Sequence, residues 1–300
     1  MILKGGLIMK PKLSKGKLYT KVFPFLMLTP VIAFFCLFTF FPFIKSIYLT
    51  FFVTDSIGNP GAFVGFKNYV RILTSDGFWN SFTATMKFAA LVAVGTFTLA
   101  MTLSLLCIQN IKGSKVYQTM YALPMALASV PVSALAIYFL SRYGVLNAVL
   151  GLEINWLADY KTALIAAAGV TVWSYVGSSF LYLLVGFRNV SDDLIEAATL
   201  DGASMMTKIT KIYIPMASPQ IFFVMFLNIL NSFKAFGYIK LLVGTGPKDS
   251  TNVLVYAMYA NAFLRNRFET ACVYALVLCL VIFVVTRIQL MCEKRMVHYQ

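Results

Sequence analysis

A chain of 300 residues with 60% hydrophobic and only 12% charged side chains is ill suited to water, because soluble domains carry about 25% charge. The formal net charge of +14 raises nucleic acid as a partner, but no basic stripe with interleaved aromatics stands outside the apolar stretches, which argues against it. Cys36, Cys107, Cys272, Cys279 and Cys292 lie in or beside those stretches without C-x-x-C spacing and read as small apolar fillers.

Charge-free runs cover Val22–Ile44, Phe88–Ile108, Val116–Ser141, Thr162–Phe187, Ile212–Phe233 and Thr270–Thr286. About 20 apolar residues cross a hydrocarbon core of about 30 Å as helix, since lipid offers no partner to a free backbone group. The expectation is an all-α polytopic membrane protein with six transmembrane helices. Residues 1–21 form a basic cytoplasmic tail, 22–290 the transmembrane domain, and 291–300 a second cytoplasmic tail.

The first tail carries Lys4, Lys10, Lys12, Lys15, Lys17 and Lys21 without an acid, which suits anionic lipid on the cytoplasmic side. Both termini are therefore expected inside. A signal peptide is the alternative, but the apolar run is too long and no small-x-small site closes it. The first span contains Pro24, Pro30 and Pro42. An outer loop follows, with Gly58-Asn59-Pro60-Gly61 as a turn and Phe63 to Tyr69 as an amphipathic piece at the interface. The second span presents Ala89, Ala93, Gly95 and Ala100, and a connection with Lys112 and Lys115 leads to the third. Pro124 and Pro131 should bend that span. Gly144 to Tyr160 returns on the outer face, and the fourth span has Trp173, Tyr175, Gly177, Ser178 and Ser179 as a polar break.

Residues 188–215 spend far more sequence than a simple return requires. Asp193 and Glu196 have capping-box spacing, Ala197, Ala198 and Leu200 favour a short helix, and Asp201-Gly202 should end it. Ala203 to Ile212 suits a second helix with Met205, Met206, Ile209 and Ile212 on one side, and Pro215 should begin the fifth span. Two readings stand here: a knob that docks on another protein, or a loop lying on the inner leaflet. Asp192, Asp193, Glu196 and Asp201 count against the second, because anionic lipid repels them.

Beyond the fifth span, Leu241 to Lys248 is a Gly-rich turn, and Ser250–Leu264 reads as a helix on the outer face, too short and polar to span. A seventh span there is the alternative and would put the C-terminus outside. Asn228, Asn231 and Ser232 are polar groups that lipid penalises, so they either line a solute path, with Trp173 and Tyr175 supplying flat faces, or join helices.

The order Glu196-Ala197-Ala198, two residues, Asp201-Gly202-Ala203, eight residues, Ile212 and then Pro215 resembles the EAA loop of binding-protein-dependent ABC transporter permeases. Phe66-Lys67-Asn68-Tyr69, Gly144-x-Leu146-Asn147, Gly246-Pro247 before Thr251, and Tyr259-x-x-Ala262-Phe263 extend the likeness to sugar-uptake permeases of the maltose, lactose and glycerol-3-phosphate kind. The resemblance implies that Glu196 fixes the loop on an ATP-hydrolysing subunit and that Gly202 permits the turn between two coupling helices. It also implies a second homologous permease, two ATP-binding subunits carrying ATP and Mg, an extracellular solute-binding protein and a bacterial or archaeal cell membrane. Ile209 stands where the family usually has Phe, and Thr245 where it usually has Gly.

The chain itself shows no phosphate-binding G-x-x-x-x-G-K-[ST], H-E-x-x-H, G-x-S-x-G or metal-ligand cluster, and its one histidine is His298, so no catalytic or cofactor role is expected. Glu153 and Asp159 read as solvated. A neutral sugar suits spans that hold no Lys or Arg apart from Lys234 at an outer end. The alternatives are a phosphorylated polyol, which Lys234 would favour, and an ion-gradient-coupled carrier.

Overall fold

A computed structural model describes residues 15–108 and 114–296. Lys4, Lys10 and Lys12 of the basic tail, Lys112 and His298 lie outside the described residues.

Helices α1 (Lys15–Phe35) and α2 (Phe41–Leu49) run on through a π turn at Cys36–Phe40, so Pro24, Pro30 and Pro42 are carried without a break. From Phe23 to Lys45 this first helix faces entirely outward. The outer loop then departs from the all-helical expectation. Strands β1 (Phe52–Thr54) and β2 (Pro60–Phe63) pair antiparallel, and the Asp55 carboxylate accepts the backbone N–H groups of Ile57 and Asn59 to shape the turn. Pro60 is compatible with pairing because it opens an edge strand.

Helix α3 (Lys67–Leu73) is anchored where an interfacial amphipathic segment was expected. Buried Asn68 donates through Nδ2 to the carbonyls of Thr50 at 2.9 Å and Phe52 at 2.8 Å. Helix α4 (Asp76–Ile108) begins twelve residues before the charge-free run, which places Lys87 within it. Helix α5 (Ser114–Ala122), with a 3₁₀ turn through Ala126, meets α6 (Ser129–Phe139) at 102°, the bend that Pro124 and Pro131 foretold.

Helix α7 (Val145–Leu150) sits in the outer return, organised by Asn147. Its amide donates to the carbonyls of Ser141, Arg142 and Ile154, and its oxygen accepts from Trp156 Nε1 at 2.8 Å. Gly144 is required sterically, since a Cβ there would clash with the Tyr138 and Phe139 carbonyl oxygens.

Helix α8 (Ala163–Arg188) runs without interruption through the polar stretch at its middle. Gly177 serves as a crossing point: its Cβ position lies 3.1 Å from the carbonyl oxygens of Tyr121 and Ala122. Small residues let helices approach in this way where lipid supplies no hydrophobic drive. The pair α4 and α8 forms the centre of the bundle, with Phe88, Val92, Phe180 and Leu183 fully or almost fully buried.

Helices α9 (Asp192–Leu200), α10 (Met205–Lys208) and α11 (Ile214–Met216) make the loop before α12 (Ser218–Phe233). The loop arm meets α12 at 73°. Pro219, rather than Pro215, stands in the first turn of that helix, and Pro215 lies in the loop arm. The charge-free run from Ile212 therefore starts inside the loop.

Helix α13 (Phe236–Leu242) leads to the Gly-rich turn, where Gly244, Gly246 and also Lys248 take positive φ. Thr245 is not among the positive-φ residues, which explains why its side chain is tolerated.

Helix α14 (Leu254–Tyr259) and a π turn to Leu264 pack beside α4 and α15 (Phe268–Met296). Thr85 Oγ1 of α4 accepts the Leu254 N–H at 2.8 Å and so satisfies an orphan donor at the helix start. Among the described residues, four helices are long and apolar enough to cross a membrane, and the two bent pairs bring the number to as many as six.

Candidate functional site

The loop between α8 and α12 is built from its caps outward. Ser191 holds the N-cap position of α9 but makes no side-chain cap bond. Asp192 and Asp193 fall in the first helical turn, so the capping box expected of Asp193 and Glu196 does not form. These acids instead complement the positive end of the helix dipole.

The other end is sharply defined. Gly202 adopts φ +76°, its N–H reaches the Thr199 carbonyl at 3.1 Å, and the Ala203 N–H reaches the Ala198 carbonyl at 2.9 Å. That pair of bonds is a Schellman cap, which needs a left-handed residue at this position. A Cβ on Gly202 would meet nothing within 4 Å, so the requirement is conformational. Ser204 then caps α10 by accepting the Thr207 N–H, and Lys208 Nζ donates to Thr199 Oγ1 at 2.7 Å across the two short helices.

The arm has an anchored face and a bare one. Ile195, Ile209 and Ile212 pack on the buried cluster of Phe187, Val190 and Tyr213, so Ile209 serves as a half-buried anchor. Phe187 and Tyr213 meet edge to face at 6.4 Å. Glu196, Ala197, Asp201 and Gly202 are exposed, while Ala198, Ala203, Met205 and Pro215 are half-buried. Met206 is 67% exposed. Leu200, which the sequence reading treated only as a helix former, is 89% exposed. The signal for it was its place one residue before the helix stop, where a side chain projects from the tip.

The candidate path residues do not converge on one cavity. Asn228 is buried and its Oδ1 accepts from Ser179 Oγ of α8 at 2.8 Å, while its Nδ2 is buried without a partner. Asn231 is exposed, and Ser232 donates to its own helix at the Ile229 carbonyl. Tyr175 meets Tyr238 edge to face at 6.0 Å on the far side of α8 from Trp173. Trp173 lines a separate apolar cleft with Leu99, Leu103 and Met120. The arrangement therefore supports helix joining by Asn228 and leaves Trp173 outside any shared site. Among the described residues, no group of three or more His, Cys, Asp or Glu could hold a metal.

A bundle of apolar helices with an arm capped at Gly202 and Ser204 at one end is the architecture of a membrane component. Residues 100–298 match the family described as binding-protein-dependent transport system inner membrane component, and the chain belongs to that family. It is the permease part of an ABC importer rather than an enzyme. The sn-glycerol-3-phosphate transport system permease protein UgpA of Agrobacterium fabrum is 27% identical over 284 residues, covering 93% of this chain and 97% of that protein. UgpA of Yersinia pestis bv. Antiqua is 27% identical over 282 residues, covering 92% and 96%. Among solved structures, a chain of the bacterial alginate ABC transporter in complex with alginate pentasaccharide-bound periplasmic protein has TM-score 0.82 and 22% identity, covering 93% of this chain and 98% of that one.

Proposed function

We propose that this permease carries a sugar or sugar-like solute, delivered by an extracellular solute-binding protein, through a path shared with a second homologous permease. Two ATP-binding subunits, holding ATP and Mg, dock on the loop of residues 188–215. The observation that carries this reading is the arm itself: Leu200, Met206 and Glu196 stand bare on a knob fixed by a Schellman cap and an isoleucine anchor. An adaptable methionine and an exposed leucine suit insertion in a groove on a partner.

The likeness to UgpA proteins over almost the whole chain supports the solute class. The outward-facing stretch of the first helix from Phe23 to Lys45 suits contact with lipid and a second subunit. In this reading six spans cross a bacterial or archaeal cell membrane, both termini lie in the cytoplasm, and residues 22–290 form the transporting domain. Glu196, Ala197, Ala198, Asp201, Gly202, Ala203, Met205, Met206, Ile209 and Pro215 make the coupling element, with Leu200 added at its tip. Asn231 faces the path, and the free Nδ2 of Asn228 is available to a solute hydroxyl when the bundle switches the side on which it opens.

Reconstitution with the partner ATPases tests this. Solute-stimulated ATP hydrolysis should fall when Leu200 and Met206 are replaced by aspartate, while membrane insertion is kept. Uptake that persists without ATPases and collapses with an ion gradient would overturn it.

A further inference from the structure

A cavity of about 1010 Å³ runs along the groove between α4 and α8, starting at the end of the bundle that carries the outer return. Its mouth is basic. Lys87 of α4, Lys161 just before α8 and Lys248 of the Gly-rich turn all line it. Among the described residues, the two ion pairs join Arg71 to Glu269 and Arg142 to Glu153, so none of these lysines is paired with an acid. Asp249 at the rim is the one acidic lining residue.

Deeper in, the lining turns apolar: Leu91 and Val94 come from α4, and Leu164 and Ile165 from α8. Gly95 closes that end, where a Cβ would come within 3.0 Å of Val172. From Lys87 to Gly95 the helix descends about 12 Å at about 1.5 Å per residue, close to the roughly 15 Å of one leaflet's hydrocarbon.

Two further features mark the mouth. Lys248 and Asp249 are consecutive left-handed residues, at φ 53° and 57°, neither of them glycine. Such strain persists only where surrounding structure enforces it, and it is typical of ligand clamps. The Ser250 hydroxyl, also in the lining, is buried without a partner. Lysines reaching for the headgroup region would account for the charges alone. They would not account for the strained turn or the orphan hydroxyl.

We propose that this groove binds one anionic phospholipid, with its phosphate held by Lys87, Lys161, Lys248 and the Ser250 hydroxyl and one acyl chain laid along the apolar floor. Basic recesses between membrane helices are suited to such headgroups. The floor fits a lipid better than a sugar, whose hydroxyls would find no partners there. An acidic protein segment fits worse still, because its backbone groups would be unpaired at hydrocarbon depth. In the orientation proposed above the lipid belongs to the outer leaflet.

The test uses the full-length protein in vesicles of equal phosphatidylglycerol and phosphatidylcholine, each in turn carrying a photoreactive group at mid-chain. Phosphatidylglycerol should label peptides containing Leu91 or Ile165 well above phosphatidylcholine. Each of Lys87→Gln, Lys161→Gln and Lys248→Gln should lower that preference about fivefold, and the matching Arg variants should keep it. Leu91→Trp, which fills the floor and keeps the charges, should lower labelling by both lipids. Equal labelling of the wild-type protein by the two lipids would overturn the proposal, and this comparison needs no variant. Loss of labelling to millimolar inorganic phosphate would assign the mouth to a free anion. Loss to a soluble acidic peptide would assign it to a protein partner.

Discussion

Ser179 of α8 donates its hydroxyl hydrogen to Oδ1 of Asn228 on α12 at 2.8 Å, a bond between two helices that leaves the amide nitrogen of Asn228 buried and unpaired. Both residues are at least 95% buried. A half-satisfied amide in this position joins the helices and stores an unmet donor at once. Ser179→Ala should therefore cost about 1–3 kcal/mol, because it orphans the acceptor as well. Asn228→Ala leaves a serine hydroxyl that can turn back to a carbonyl of its own helix, so the hydrogen-bond part of its cost is smaller. Thermal unfolding of the two variants checks that order. Uptake by Asn228→Ala should fall more than its melting temperature implies if Nδ2 also meets solute.

Gly202 gives a cleaner test of the docking arm. At φ +76° with open space around the missing Cβ, Gly202→Ala pays only backbone strain, about 1–2 kcal/mol, and Gly202→Asn pays less because Asn tolerates the left-handed region. The expected result is that Asn restores most of the ATP-driven transport that Ala loses, with equal amounts of both in the membrane. Equal loss in the two would mean that the site rejects any side chain because a partner lies over it.

Much of this arm was legible in the sequence, and the physical reasons for what was not are local. Asp201-Gly202 announced the helix stop, since few residues other than glycine can take that conformation. The start was misplaced by two residues, because Ser191, Asp192 and Asp193 are all acceptable caps and only the path of the preceding helix chooses among them. Charge-free runs marked the apolar helices yet hid Lys87, since α4 begins twelve residues before its run and a charge count alone does not show where a helix starts. The hairpin at Phe52–Thr54 and Pro60–Phe63 gave no alternating pattern because its second strand is exposed throughout. Asn68 looked like an interfacial polar residue. Its role as a strap depends on carbonyls that the chain brings near it only after turning twice.

Glu269 ties the outer loop to the last helix. It is 5% exposed, accepts from Thr54 Oγ1 at 2.6 Å and pairs with Arg71 Nη2 at 3.5 Å. Glu269→Ala should destabilise the protein by about 1–3 kcal/mol by stripping Thr54 of its acceptor and Arg71 of its ion-pair partner, with Glu269→Gln milder because its amide oxygen still serves Thr54. Proteolysis of the loop between Thr50 and Leu73 should rise in the same order.

Asp55 sets an acid limit on the hairpin. Hydrogen bonds from the backbone and side chain of Asn59 hold its carboxyl below the usual value of 3.8. A folded-state pKa depressed in this way contributes stability that is present above the ordinary value and is lost as pH falls through the lowered one. The hairpin should hold its shape at pH 5 and loosen only as pH falls below the ordinary value of 3.8. Asp55→Asn should remove that acid dependence, as read by fluorescence of a reporter placed at the exposed residue Ile57.

Orientation is open to a direct measurement. In a background without the five native cysteines, Leu150→Cys on the outer return should react with a membrane-impermeant maleimide in intact cells. Both Leu150, 52% exposed, and Met206, 67% exposed, are reachable by solvent, so a difference between them reports sidedness and not burial. Met206→Cys should react only after permeabilisation, because the docking arm must face the compartment that holds ATP. Binding of the partner ATPases should then protect position 206 and leave position 150 unchanged. Labelling of 206 in intact cells would reverse the topology and detach the arm from its partners.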